Sequence, residues 1–223
     1  YMHDGENLFD PRIANTGIDW GIDEAMVAGV RDGRFEPAIV VGVWSTDDRA
    51  DRRQEYSPWH GAPQYARFLI DELKPRIDTE FRTLTGPEDT FAMGSSMGGL
   101  LSYYLVKNHP TVFSACGCVS SHFALSEASF GSDPDADSTP YIVIDIAGGQ
   151  TVPRGARFYV DYGTETLDST YEADHQPVRD WLLEQGFKEG SDFRFRKYDG
   201  AAHSEKAWRA RVGDQLDWLL GNR

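Results

Sequence analysis

Continuous apolar segments alternate along this chain with stretches whose apolar residues recur at helical spacing. That alternation limits the possible folds more than any other feature. Residues 38–44 (AIVVGVW) form an unbroken run rich in β-branched side chains, bounded by Pro37 and Ser45. A strand buried on both faces reads this way, whereas a half-exposed strand alternates polar with apolar. Similar runs predict strands over 89–93, 112–119, 156–162 and 193–198, and the first residues read as the end of another. Apolar residues at 65, 69, 70, 73 and 77 predict a helix over 64–81, kinked or divided by Pro75. Further helices are predicted over 97–108, stopped by Pro110, over 176–185, ended by Gly186, and over 205–220. Continuous apolar strands alternating with helices imply an α/β fold, with a parallel sheet covered on both faces.

At 223 residues, 40% of them hydrophobic, the chain suffices for one domain over 1–223 with a single sizeable core. Residues 120–140 are rich in Ser, Asp and Ala without periodicity, but the core pattern resumes after them. They predict a cap-like excursion around 122–140 rather than a linker. No stretch reaches the roughly 18 apolar residues of a membrane span, so no membrane partner is expected. Acidic residues outnumber basic ones 36 to 22, a net charge of −14. Such a surface repels phosphate backbones, which excludes nucleic acid as a partner and counts against polyanionic substrates. No basic-then-apolar leader is visible, so a cytoplasmic location is expected, while the opening Tyr1 reads as a processed or truncated chain. Cys116 and Cys118 lie two residues apart, about 6.5–7 Å along a strand, at or beyond disulfide reach, so buried reduced thiols are expected. No metal-ligand spacing is present, and no metal or cofactor is expected.

The chemistry-bearing segment is GSSMGG, residues 94–99, at the seam between a predicted strand and a predicted helix. A bare GxSxG is a weak signal, but here its context fits a sharp strand-to-helix turn. Such a turn holds a serine at an unfavourable backbone angle and leaves no room for neighbouring side chains. Ser96 alone has glycine at both ±2 positions, Gly94 and Gly98. The helix start supplies the N–H of Met97 and a positive dipole end, both suited to a developing oxyanion. A serine hydroxyl needs a base. Among six histidines, His203 falls between the last strand and the last helix, where a Ser…Asp…His order requires the base. His109 reads as a helix-end dipole partner, His175 as exposed, and His3 as structural. His60 and His122 lie in loops that could line a pocket. The orienting acid belongs after the penultimate strand, where Glu165 and Asp168 both qualify and Asp168 is favoured; Asp161 falls within the strand. Asn7, Trp20, Trp59 and His122 are the candidate substrate-binding residues on top-face loops.

Five segments then carry a resemblance over nearly the whole chain, in order: YMHDGENLFD, EYSPWHGAPQYARFLIDELKPRIDTEF, MGSSMGGL, FYVDYGTETLD and GAAHSEKAWRARV. The chain resembles the esterase family of α/β-hydrolases that contains enterochelin, feruloyl and acetyl-xylan esterases (carbohydrate esterase family 1) and mycolyltransferases. The resemblance implies an α/β-hydrolase fold with Ser96 as nucleophile, His203 as base and Asp168 as acid. It implies oxyanion N–H groups from Met97 and Glu6. Glu6 stands where the family often has Gln, which places a charge near the oxyanion. Family members carry strands upstream of YMHDG that are missing here, so an open sheet edge is expected. The implied activity is hydrolysis of carboxylic esters through an acyl-enzyme, with feruloyl or acetyl esters of carbohydrates as substrates. The alternatives are a siderophore esterase of the enterochelin type or a non-catalytic binding domain. The partner is a small-molecule or carbohydrate ester.

Overall fold

Strands β1 (Met2–His3), β2 (Gly42–Val43), β3 (Phe91–Ser95), β4 (Ala115–Val119), β5 (Arg157–Glu165) and β6 (Phe193–Ala202) make one sheet in a computed structural model that describes residues 1–131 and 133–221. The order is β2-β1-β3-β4-β5-β6, and every neighbouring pair is parallel. The helices are α1 (Ile22–Arg31), α2 (Arg49–Tyr56), α3 (Ala62–Arg67), α4 (Lys74–Glu80), α5 (Met97–Asn108), α6 (Tyr141–Ala147), α7 (Tyr171–Glu184) and α8 (Glu205–Leu220). This is the α/β-hydrolase architecture expected from the sequence.

Strand pleating divides the core into two layers. Cys116, Cys118, Phe158 and Val160 face one side, where they join Leu100 and Leu105 of α5 and Val178, Trp181 and Leu182 of α7. Ala115, Val119 and Tyr159 face the other side, against Ile22 of α1 and α8. On α8, Trp208, Val212, Leu216 and Leu219 are buried at spacings of four, four and three, one stripe of a helix. Full burial of each such side chain stabilises by about 1.5–3 kcal/mol. Arg211 and Gln215 lie on the same buried stripe, and their partners appear below.

Helices α5 and α8 match their predicted bounds, but several expectations change. The helix expected over 64–81 forms as α3, a π-helical stretch Phe68–Leu73 and α4, in direct succession. Pro75 sits in the first turn of α4, and the wider turns before it absorb the missing N–H and the ring's clash with the preceding turn. The run over 38–44 yields only the two-residue edge strand β2. Ile39 and Trp44 are exposed there, because no strand among the described residues covers its outer side. His175 is fully buried within α7 rather than exposed. Cys116 and Cys118 are paired as a disulfide rather than reduced. The pleat brings their Cα atoms to 5.8 Å, inside the usual range.

The excursion around 122–140 contains one short 3₁₀ turn, Glu127–Ser129, and residue 132 lies outside the described residues. It folds back on α2 and on the segment after it. Arg53 donates to the carbonyl of Ser129 at 2.7 Å, and the rings of His60 and Phe130 lie 4.2 Å apart. Among the described residues, no helix is long and apolar enough to cross a membrane.

Candidate active site

At the carboxyl end of β3 the chain turns directly into α5, and Ser96 is the single residue of the corner. Its backbone stands at φ 55°, ψ −120°, a region that L-residues occupy at a cost of about 1–3 kcal/mol. The neighbouring strand holds it there. The Ser96 N–H donates to the Val119 carbonyl at 2.9 Å, and the Ser96 carbonyl accepts from the His122 N–H at 3.0 Å. A Cβ on Gly94 would lie 2.8 Å from the backbone carbon of Gly98, so the corner closes only with glycine at 94. Met97 opens α5, and its N–H is one of the first four that find no acceptor within a helix.

The turn after β1 abuts the same helix start. Asp4 takes φ 56°, and the following Gly5 packs so tightly on the backbone of Gly42 that no side chain fits. Arg52 fixes this turn with two bonds to the Asp4 carboxylate, at 2.5 and 2.7 Å. Glu6 turns its carboxylate away to Ser45, accepting from the hydroxyl at 2.7 Å and from the N–H at 3.1 Å. Its charge is therefore spent on the loop beyond β2. Asn7 is buried and accepts from the Asn15 N–H at 2.8 Å.

His203 follows β6, and Asp168 lies in the 3₁₀ turn Thr166–Thr170 after β5. The structure joins the two, with His203 Nδ1 2.5 Å from Asp168 Oδ1. Asp168 Oδ2 accepts from the Gly163 N–H at 2.7 Å and from the Ser120 hydroxyl at 2.5 Å. Burial works against the Asp168 charge, but the hydrogen bonds from His203, Ser120 and Gly163 prevail and hold its carboxyl below the ordinary range. An ionised carboxylate only accepts, so His203 carries a proton on Nδ1, and in the neutral imidazole this tautomer leaves the Nε2 lone pair free. The Thr166 hydroxyl accepts from the His203 N–H at 2.8 Å and ties the two turns together. Glu165, the other candidate acid, is exposed.

Tyr171, which the sequence reading did not single out, links these groups. Its hydroxyl bonds His122 Nδ1 at 2.8 Å. Its ring stands edge-on to His203 with centroids 5.7 Å apart. Burial, and after it the nearby His203 and Arg53, lower the His122 pKa to about 4, so this imidazole is neutral at pH 7. Trp20 does not line an open cleft. It is buried against Trp208, whose ring in turn lies 5.0 Å from His203. Trp59 is half-buried and packs on Tyr141 of α6 at 4.8 Å, and His60 bonds the Ser57 hydroxyl at 2.9 Å. His3 is buried in β1 beside Tyr65, and His109 caps the end of α5. Asp161 lies within β5 and pairs with Arg211 at 2.9 Å. Among the described residues, one acidic cluster of Asp19, Asp23 and Glu24 brings oxygens within 4.8 Å of one another, and Arg209 already bridges Asp19 and Glu24.

The family model described as "Putative esterase" matches residues 1–219. The chain belongs to this family. It is 22% identical over 240 residues to the uncharacterized protein YbbA of Bacillus subtilis (strain 168), covering 99% of this chain and 84% of that one. The enterobactin esterase FES of Shigella flexneri superposes with a TM-score of 0.73 at 17% identity, over 98% of this chain and 51% of that one. A ferulic acid esterase superposes with a TM-score of 0.70 at 16% identity, over 90% of this chain and 77% of that one. The BES protein of Bacillus cereus superposes with a TM-score of 0.67 at 16% identity, over 100% of this chain and 82% of that one. The chain thus spans about half the length of the enterobactin esterase that it resembles. At these identities the superpositions speak for the fold, and the family membership makes this an esterase-family chain.

Proposed function

We propose that the chain is a serine esterase that cleaves carboxylic esters through an acyl-enzyme, with Ser96 as nucleophile, His203 as general base and Asp168 as the acid that orients it. The observation that carries this reading is the Asp168–His203 bond at 2.5 Å, formed at the same carboxyl-end edge of the parallel sheet as the strained Ser96.

The Ser96 hydroxyl gives its proton to His203 Nε2 as its oxygen bonds the ester carbonyl carbon, and the carbonyl π electrons move onto oxygen. The N–H groups of Met97 and Glu6 receive that oxyanion, each contributing about 3–4 kcal/mol to the transition state. Asp168 stabilises the imidazolium without taking its proton. The oxyanion collapses, the C–O bond to the alcohol breaks, and His203 returns the proton to the leaving oxygen. Water then repeats the sequence on the acyl-enzyme and releases the carboxylic acid.

For the substrate we favour an ester of a small or planar aromatic acid, with a carbohydrate as one source of the alcohol. Trp59, Tyr141, His60 and Phe130 form an aromatic surface where the 122–140 excursion folds back as a cap. The similar structures are named a ferulic acid esterase and an enterobactin esterase, the latter also solved in the presence of 2,3-dihydroxy-N-benzoyl-glycine. A planar phenolic ring is common to both. The net charge of −14 disfavours a strongly anionic iron-bound siderophore. A panel of acetyl, feruloyl and long-chain acyl esters, with Ser96→Ala as control, tests the reading. Feruloyl or acetyl turnover that vanishes in the variant is expected, and no turnover of any ester by the folded protein would leave the non-catalytic alternative standing.

A further inference from the structure

We propose that Ser120 is a positioning residue for the reaction, whose hydroxyl donates its one hydrogen bond to Asp168 and so fixes which carboxylate oxygen faces His203. This rests on the serine-esterase reading given above.

Three groups meet at the Ser120 hydroxyl, one from the turn after β5 and two from α8. Trp208 Nε1 lies 3.0 Å away, Arg211 Nη2 2.8 Å away and Asp168 Oδ2 2.5 Å away. Indole and guanidinium groups can only donate, so both lone pairs of the hydroxyl are occupied. Its proton is left with one destination, the Asp168 carboxylate. A hydroxyl usually rotates among partners, but this one has no alternative orientation. The backbone is held as firmly. Ser120 stands at φ 40°, in the left-handed region, and its N–H donates to Asp161 Oδ1 at 3.1 Å. Asp161 in turn accepts from Arg211 at 2.9 Å and from Gln215 at 2.9 Å. Ser120, Asp161 and Gln215 are fully buried, and Arg211 nearly so.

The consequence lies in the geometry of the acid. With Oδ2 shared by Ser120 and Gly163, only Oδ1 remains for His203. Arg211 carries a fixed cation two bonds behind Asp168, relayed by the Ser120 oxygen. The titratable and charged groups around the pair are Tyr171 and His175 from α7, His122 from the segment after β4, Asp161 from β5 and Arg211 from α8. Removing the Ser120 hydroxyl takes a charge-assisted bond from Asp168 and leaves its carboxylate more basic. A more basic carboxylate favours the imidazolium, so His203 must lose its proton at higher pH before it can act as a base.

The test uses the full chain with Ser120→Gly, because glycine keeps the left-handed backbone without strain. Folding is checked by circular dichroism and thermal melting. The readouts are the pH profile of kcat/KM on p-nitrophenyl acetate and the imidazole titration of His203 by NMR. Expected are a loss of kcat/KM of about tenfold and an upward move of the acidic limb by roughly half to one pH unit, with the NMR titration moving the same way. Arg211→Lys keeps the cation beside Asp161 but loses the planar fork that reaches Ser120. It is expected to move the limb in the same direction by less, so the inference remains testable if Ser120→Gly does not fold. Folded variants whose acidic limb and His203 titration stay at the wild-type position overturn the inference, even if activity falls. In that outcome an active wild type labelled by a fluorophosphonate at Ser96 leaves the serine-esterase reading intact. A wild type neither active nor labelled overturns both.

Discussion

His203 Nδ1 meets Asp168 Oδ1 at 2.5 Å, although 35 residues separate the two in the chain. The turns after β5 and β6 bring them together, since those strands are parallel neighbours and end on the same side of the sheet. The contact fixes the Nδ1–H tautomer, the one in which a neutral imidazole presents its Nε2 lone pair as a general base requires.

Replacement of the acid tests that tautomer. Asp168→Asn offers an amide in place of the carboxylate and no longer enforces the Nδ1 proton. A fall in kcat of about 10³–10⁴-fold is expected with the fold retained. Glu165→Gln alters an exposed carboxylate and is expected to leave steady-state rates within about twofold. The reverse pattern in esterase kinetics would move the acid to Glu165.

The strain at Ser96 gives a second test. At φ 55°, ψ −120°, glycine is at ease and alanine is not. Ser96→Gly is expected to exceed Ser96→Ala in unfolding free energy by about 1–2 kcal/mol, both being inactive. Urea titrations of the two variants measure the difference, and equal stabilities would mean that the corner carries no strain.

Much of this was legible in the sequence because it is local. The glycine spacing around Ser96 announces a tight corner, and the stripe of Trp208, Val212, Leu216 and Leu219 announces α8. The position of His203 after the last strand follows from chain order. What escaped is non-local. Ser120 meets Trp208 and Arg211 across 88 and 91 residues, and no spacing encodes that. A signal did exist in part, since Arg211 and Gln215 interrupt the apolar stripe of α8 and thereby ask for a buried partner. The run over 38–44 misled because apolarity reports burial of side chains and not the pairing of the backbone. Helix α2, RADRRQEY, carries almost no apolar residue and no periodicity to read; its N-cap, Asp48, accepts from the N–H groups of Ala50 and Asp51.

The acid sensitivity of the fold follows from its buried imidazoles. Burial chiefly, with nearby positive charge adding, lowers the His3 pKa to about 3. The unfolded chain binds a proton near pH 6.5, whereas the folded one resists until about pH 3, so stability is full above about pH 6.5 and falls as the pH drops through that window. His3 alone is expected to remove about 3 kcal/mol between pH 7 and pH 4. His122 and His175, each lowered to about 4 chiefly by burial, act in the same direction. In His3→Gln the pH dependence of the urea midpoint between pH 7 and pH 4 is expected to flatten. An unchanged slope would show that His3 does not titrate in this window.

The most direct measurement is intact-mass and peptide mass spectrometry after exposure to a fluorophosphonate, taken alongside p-nitrophenyl acetate turnover. One adduct, mapped to Ser96 and rising in step with the loss of activity, is the expected result, together with an unlabelled and inactive Ser96→Ala. An adduct on another residue, or turnover that survives in Ser96→Ala, would contradict the assignment of Ser96 as the nucleophile.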